Sequence, residues 1–171
     1  MARKSSASRP SESTPTRPPT AAGTERAGCL VGFHSQSSID PRRYAVWLSK
    51  ANHTFRVAVL ATHFAVHLPT PDAYDLAELF GGLSGDDIDK FARCRWEAGP
   101  DGVPLLLRCP RRLVVRKTAL LDEGGDHVCL VTEPLEVHGE GPFEPLRMSQ
   151  VLDITPGHEV WERPRPDDLR A

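Results

Sequence analysis

Residues 28–54 read GCLVGFHSQSSIDPRRYAVWLSKANHT, and this stretch places two polar clusters beside two predicted strands. The runs at 28–32 and 43–49 are rich in Val, Leu, Tyr and Trp, which favours strands, and Asp40-Pro41 between them predicts a turn. One cluster, 34–38, follows the first run, and the other, 49–54, follows the second. Their small hydrogen-bonding side chains, with the charge of Lys50, suit a flat polar ligand that carries a phosphate.

Each cluster also has an ordinary structural interpretation. A Ser-rich corner is common in solvated turns, and Asn52 or Thr54 can simply cap a helix. If a helix does begin at Thr54, its free N–H groups and dipole attract an anion as well. His127, which follows Asp126 in the link DEGGDH, fits either a turn residue or a residue that faces a bound nucleotide.

The composition is that of a chain with one core and little bulk charge. Hydrophobic residues make up 39% and charged residues 26% of the 171 residues, so we expect one domain with extensions. The net charge of -2 gives no support for nucleic-acid binding or for attachment to a membrane surface. No apolar run approaches the roughly 18 residues of a membrane span. The four cysteines form no CxxC pair and follow no secretory segment, which favours reduced thiols in the cytoplasm.

Composition divides the chain into three parts. Residues 1–26 are rich in Ser, Thr, Pro and Arg, which predicts a basic disordered tail. The same composition fits an organellar transit peptide, but the large apolar residues of an amphipathic helix are missing. Residues 27–158 are the predicted domain, and residues 159–171 are predicted to be a frayed C-terminal tail.

Periodicity and turn signals predict the remaining elements. Residues 54–61 (TFRVAVLA) fit a strand or a short helix, and the capping residues before them favour the helix. We predict a strand at 64–68, helices at 72–80 and 86–94 capped by Asp72 and Asp86, and an irregular loop at 95–104. The runs 112–121 and 128–137 predict a hairpin around DEGGDH, and 146–154 a last strand. Several strands with few short helices favour a β-barrel or an α+β fold.

Three common kinds of site are not predicted. His63 and His67 lie on a predicted strand, which would separate them by about 13 Å, too far for one metal ion. No GxGxxG motif follows a strand, and no GxxxxGK[ST] motif occurs, so the usual dinucleotide and P-loop signatures are missing. A serine hydrolase is unsupported because the chain has no GxSxG motif.

Four blocks of the sequence resemble the flavin reductase-like family. They are the strand, corner and Asp-Pro turn of 28–48, the segment DLAELFGGLSGDDIDKF at 75–91, Trp96 with Gly99-Pro100, and GGDHVCLVTEPLEV at 124–137. The resemblance implies a mainly β fold with short helices, an FMN-binding split β-barrel. It also implies a homodimer whose flavin sites lie at or near the subunit interface.

The function that the resemblance implies is that of an NAD(P)H-dependent flavin reductase. Such an enzyme transfers a hydride from NADH or NADPH to FMN or FAD, and it often supplies reduced flavin to a separate monooxygenase. Because the flavin itself accepts the hydride, the protein mainly holds two flat rings together, and no acid–base side chain is strictly needed. The resemblance makes His127 the best candidate for a residue that touches the nicotinamide, and it marks no residue as certainly catalytic. The implied flavin-binding residues are Ser35, Gln36, Ser37, Ser49, Lys50, Asn52, His53, Thr54, Lys90 and Phe91.

Two departures from the family pattern support an alternative. The corner reads Gly32-Phe33-His34-Ser35-Gln36, whereas many relatives carry an Asn-Ser-Phe-Thr-Ser pattern. Relatives also have a further strand before the equivalent of Gly28, where this chain has SESTPTRPPTAAGTERAG. The alternative is a non-catalytic flavin-binding module, for storage or sensing, with an incomplete barrel.

Overall fold

The computed structural model describes residues 25–158, so the predicted tail at 159–171 and nearly all of the tail at 1–26 lie outside the described residues. The described part is mainly β with short helices, as predicted. Its helices are α1 (His53–Leu60) and α2 (Tyr74–Gly82). Its strands are β1 (His34–Ser38), β2 (Arg43–Ser49), β3 (His63–His67), β4 (Trp96–Ala98), β5 (Pro104–Leu106), β6 (Arg112–Leu121) and β7 (His127–His138).

Five strands form one antiparallel sheet in the order β1-β2-β7-β6-β3, and β4 and β5 pair separately. The predicted hairpin is confirmed as β6 and β7, which lie near the middle of this sheet. In the β2–β7 pair, Tyr44 lies opposite Thr132 and Ser49 lies opposite His127. This register sets the end of β2 beside the start of β7, where the predicted loop at 49–54 and His127 meet.

The main core lies on one face of the sheet and is closed by α1. Val46 and Leu48 of β2 point into it together with Leu130 of β7 and Phe64 of β3. Each of these side chains is at most 2% exposed. Because successive strand residues point to opposite faces, the odd-numbered residues of β2 lie on the other, outer face. This outer face carries Ser49 and, opposite it, His127.

The predicted strand at 28–32 is wrong, and the polar corner is itself the strand β1. The backbone of 28–32 bonds elsewhere: the Leu30 N–H donates to the Phe80 carbonyl at 3.2 Å, and the Gly28 carbonyl accepts from Lys90 Nζ at 3.1 Å. The apolar side chains of Cys29 and Val31 are buried in the core, as an apolar run suggests, without any strand pairing. The apolar run at 28–32 therefore indicates burial of its side chains and not a strand conformation.

Four further predictions need correction. The expected helix at 86–94 is a short 3-10 helix, Lys90–Arg93, and its capping residue is Asp89 instead of Asp86. The expected irregular loop at 95–104 contains β4 and the start of β5, and the expected last strand at 146–154 is a 3-10 turn at Met148–Gln150. Asp72 does not cap α2, because a 3-10 turn at Pro71–Ala73 precedes that helix. In each case the periodic apolar signal covers too few residues to decide the element.

Candidate functional site

The loop at 49–54 is held against the link between β6 and β7. The Lys50 N–H donates to the Asp126 carbonyl at 2.9 Å, next to the paired residues Ser49 and His127. The loop ends at Asn52, whose side-chain oxygen accepts the Thr54 N–H at 3.0 Å and caps α1. The structure thus brings the predicted phosphate-binding loop, the first turn of a helix and His127 into one place.

Lys50 carries the positive charge of this loop on a partly exposed side chain. Its Nζ donates to Asp122 Oδ1 at 2.7 Å, and this hydrogen bond lowers the pKa of Asp122. The same Asp122 oxygen accepts the Gly124 N–H at 2.8 Å, which ties the carboxylate to the hairpin link. The lysine is therefore positioned by the hairpin instead of extending freely into solvent.

The first turn of α1 carries two more basic side chains, His53 and Arg56. His53 Nδ1 lies 2.8 Å from Asp86 Oδ1, and its Nε2 lies 3.0 Å from Glu25 Oε1. The Arg56 guanidinium donates to the same Asp86 oxygen. The hydrogen bond from His53 is the main cause that lowers the pKa of Asp86. Three basic groups around one helix N-terminus form a donor set that suits a phosphate.

The corner residues Ser35, Gln36 and Ser37 lie on β1 at the edge of the sheet and are exposed. Ser35 lies opposite Ala45, and the register shifts between Gln36 and Ser38. The Ser35 hydroxyl donates to the Gln36 carbonyl at 3.2 Å, and the Gln36 amide donates to the Ser38 carbonyl at 3.1 Å. These bonds are local and exposed, so exchange for bonds to a ligand costs little.

Ser35 of the corner and Ser49 of the loop share the outer face of the sheet, whereas Gln36, opposite Tyr44, lies on the core face. Ser35 pairs with Ala45, and Ser49 lies four residues farther along β2 on the same side. The spacing along the strand is about 13 Å. Residues at these two places would hold the ring and the phosphate of FMN, which a ribityl chain joins. The ring of Phe33, just before the corner, also packs edge-on against His127 at 5.6 Å.

Lys90 and Phe91 are placed differently from the other predicted residues. Lys90 is 4% exposed, and its Nζ donates to the carbonyls of Gly28 and Phe80 at 3.1 and 3.0 Å. Phe91 packs in a second core cluster with Phe80. The structure thus gives both side chains contacts inside the fold, and their implied contact with a flavin stays a prediction.

Sequence reasoning missed the carboxylates that surround the basic loop. Asp86 and Asp122 are 33 and 72 residues from the basic residues they contact, so no local pattern links them. Arg56 carried a usable signal, because residues three apart on a helix are neighbours and His53 was already a candidate. Gly85 gives no such signal in the sequence, and only the structure shows that a Cβ there would lie 2.9 Å from the His53 ring.

The buried His67 is part of the fold's interior. Its Nε2 accepts the Leu106 N–H at 2.9 Å, and burial lowers its pKa well below the usual value, so the imidazole is neutral. Within residues 25–158 no group of three His, Cys, Asp or Glu side chains is arranged to hold a metal ion. Over the same residues, no helix has the length and apolar character needed to cross a membrane.

The comparison with known proteins identifies the family. The model of the flavin reductase like domain matches residues 16–150. The chain belongs to the flavin reductase-like family. A curated relative, the FMN reductase (NADH) SmoA of Agrobacterium fabrum, is 31% identical over 125 residues, which is 71% of this chain and 67% of the relative. This match includes a sufficient share of both proteins to support the family assignment independently.

Solved structures show the same fold. The NADH:FAD oxidoreductase SgcE6 of Streptomyces globisporus superposes with a TM-score of 0.68 at 20% identity, over 77% of this chain and 76% of that protein. A longer protein from Sinorhizobium meliloti superposes with a TM-score of 0.66 at 22% identity, over 76% of this chain but only 43% of its own length. The predicted fold class, the split barrel of this family, is confirmed, although the sheet of residues 25–158 is open.

Proposed function

We propose that this protein is an NAD(P)H-dependent flavin reductase that takes FMN or FAD and reduces it with NADH or NADPH. The observation that carries the proposal is the shared outer face: Ser35, Ser49 at the start of the 49–54 loop, and His127 lie on it in a member of this family. Both named relatives use NADH, so NADH is the expected donor. The product, reduced flavin, suits delivery to a separate monooxygenase.

The residues divide the work of binding between the two ends of the flavin. Lys50, His53 and the first turn of α1 hold the phosphate, with Ser49, Asn52 and Thr54 shaping the loop. Ser35 and its neighbours on β1 hold the edge of the ring, and His127 orients the nicotinamide. When bound, the flavin supplies the hydride acceptor, so the protein contributes position and exclusion of water.

A coupled binding and turnover measurement tests this function. The purified chain is expected to quench FMN fluorescence on titration and to oxidise NADH only when flavin is added. Replacement of His127 by alanine is expected to lower kcat/KM for NADH by about tenfold, roughly the cost of one lost binding contact, with FMN affinity nearly unchanged. Well-folded protein that neither binds flavin nor oxidises NADH or NADPH would refute the proposal.

The same measurement separates the enzyme from a flavin-binding module. The exposed corner and the absence of a strand at 25–33 are the observations that favour the module. Tight flavin binding without oxidation of either nicotinamide would select storage or sensing. Riboflavin and FAD are titrated in parallel. Either function allows binding of several flavins, so flavin preference alone does not separate the two.

We also propose that the outer face of the sheet pairs with a second copy of the chain. Trp47 and Leu121 are exposed on it, at 36% and 49%. An apolar surface beside the flavin-binding residues suits a dimer with its flavin sites near the interface. The apolar residues form two rows across β2, β7 and β6: Trp47, Cys129 and Leu121, then Ala45, Val131 and Ala119.

Light scattering after size-exclusion chromatography tests this pairing. The wild-type chain is expected to run with twice the mass of one chain. Trp47→Glu, which puts a charge at the β2 end of one apolar row, is expected to run as a monomer. Ile39→Glu is the matched control, since Ile39 is 83% exposed in the turn between β1 and β2. A wild-type monomer, or equal dissociation in both variants, would contradict the proposed interface.

A further inference from the structure

Asp86 contacts two of the basic groups that surround the phosphate-binding loop. Its Oδ1 lies 2.8 Å from His53 Nδ1 and accepts from the Arg56 guanidinium, while Glu25 lies 3.0 Å from the other His53 nitrogen. Both ring nitrogens and the guanidinium therefore already face carboxylate oxygens. These are the same donors that a flavin phosphate would need.

We propose that Asp86 is a specificity-determining residue that competes with the flavin phosphate for His53 and Arg56. It thereby reduces the preference of this site for phosphorylated flavins over riboflavin. The inference rests on the proposed function, because it concerns the phosphate end of the same flavin site. It defines the substrate class more closely as flavins in general, with an affinity for FMN that is only modestly higher than that for riboflavin.

A flavin phosphate would have to exchange with Asp86 at these basic groups. A phosphate that binds His53 and Arg56 replaces bonds that Asp86 already makes, so the gain is the difference between two charge-assisted interactions. If Asp86 stays in place, its negative charge lies close to the phosphate and repels it. Either way the carboxylate lowers the affinity for FMN and leaves riboflavin, which has no phosphate, unaffected.

The position of Asp86 is fixed by the backbone of the fold. Asp86 follows Gly85 in a turn, and the Asp86 N–H donates to the Ser84 hydroxyl at 3.1 Å. A Cβ at Gly85 would lie 2.9 Å from the His53 ring, so the turn packs directly against the imidazole. The carboxylate is thus presented to His53 by close packing of the backbone.

If Asp86 instead oriented His53 toward the phosphate, removal of Asp86 would weaken FMN binding, whereas competition predicts that removal tightens it. To orient an imidazole, one hydrogen bond to one ring nitrogen is sufficient. Here carboxylates take both nitrogens of His53, and Asp86 also takes Arg56. That arrangement occupies the donors instead of aiming one of them at a ligand, and this is the reason to assign competition.

Flavin titrations of Asp86 variants test the inference. Asp86→Asn is expected to tighten FMN by about fivefold and to leave riboflavin within about twofold. Asp86→Ala, which adds no new donor, should tighten FMN as well. Asp87→Asn is the matched control, because it removes the same charge one residue away on another exposed side chain.

Inorganic phosphate provides an arm that does not depend on flavin. Titrated against the NMR signals of the His53 imidazole, it should bind Asp86→Asn more tightly than the wild type. Weaker FMN or phosphate binding in Asp86→Asn, or an equal gain in Asp87→Asn, would overturn the inference. Failure of the wild type to bind any flavin would instead refute the proposed function, while the phosphate titration still decides the role of Asp86.

Discussion

Replacement of Lys50 by glutamate is expected to weaken FMN binding by at least about tenfold and to change riboflavin binding by less than about twofold. Lys50 is the lysine of the 49–54 loop, and the hairpin link fixes its Nζ beside Asp122 at 2.7 Å. Glutamate there removes the attraction for a phosphate and adds a repulsive charge to that of Asp122. The ring and ribityl contacts, which riboflavin shares with FMN, stay the same.

Fluorescence titration of the two flavins against the same protein preparation measures this difference. Lys50→Met is the intermediate control, since it removes the positive charge without adding a negative one. Its affinity for FMN should fall between those of the wild type and Lys50→Glu. Asp122 keeps its bond to the Gly124 N–H, so the hairpin link is expected to persist in both variants. Equal losses for FMN and riboflavin would show that Lys50 acts on the fold and not on the phosphate.

The parts of this fold that the sequence predicts are those with a repeating signal. β2 and the β6–β7 hairpin have long apolar runs with turn residues at their ends, and α1 has Asn52 as its cap. β1 reads HSQSS, which has no apolar alternation. It is a strand because β2 offers it a free edge, and that is a property of the partner and not of the segment.

The candidate site follows the same division. The loop at 49–54 was predicted because its residues are adjacent in the chain and lie between a strand and a helix. Its electrostatic environment was not, because Asp86 and Asp122 reach it only through tertiary contacts. The family resemblance implies the ligand, and the structure adds the carboxylates that we propose modify its binding.

Lys90→Met is expected to lower the free energy of unfolding by about 2 kcal/mol, with FMN affinity of the folded protein unchanged within about twofold. Lys90 is 4% exposed, and its Nζ bonds the carbonyls of Gly28 and Phe80. Methionine has a similar length but no donor. The Gly28 carbonyl would then lose its bond from Lys90, whereas the Phe80 carbonyl keeps the Leu30 N–H.

The energetic reason lies in what Lys90 connects. Residues 28–32 have no strand partner, so besides the burial of Cys29 and Val31 in the core, their backbone is held by bonds to the end of α2 and to this ammonium group. A positive charge near the C-terminus of α2 is also favoured by the helix dipole. Loss of the lysine therefore removes more than a single hydrogen bond. It weakens the contact of residues 28–32, which lead into β1, with the end of α2.

Urea unfolding measures the loss, and Lys117→Met is the matched comparison. Lys117 also donates to two carbonyls, of Ala58 and Val59 at 3.0 and 2.7 Å, but it is only half-buried. Water can replace its bonds, so a smaller loss is expected there. FMN titration of the folded Lys90→Met protein then separates the two roles of the residue. A stable variant that has lost FMN binding would place Lys90 against the flavin, as the family resemblance implies. An unstable variant with intact FMN binding would show that Lys90 links α2 to the segment before β1.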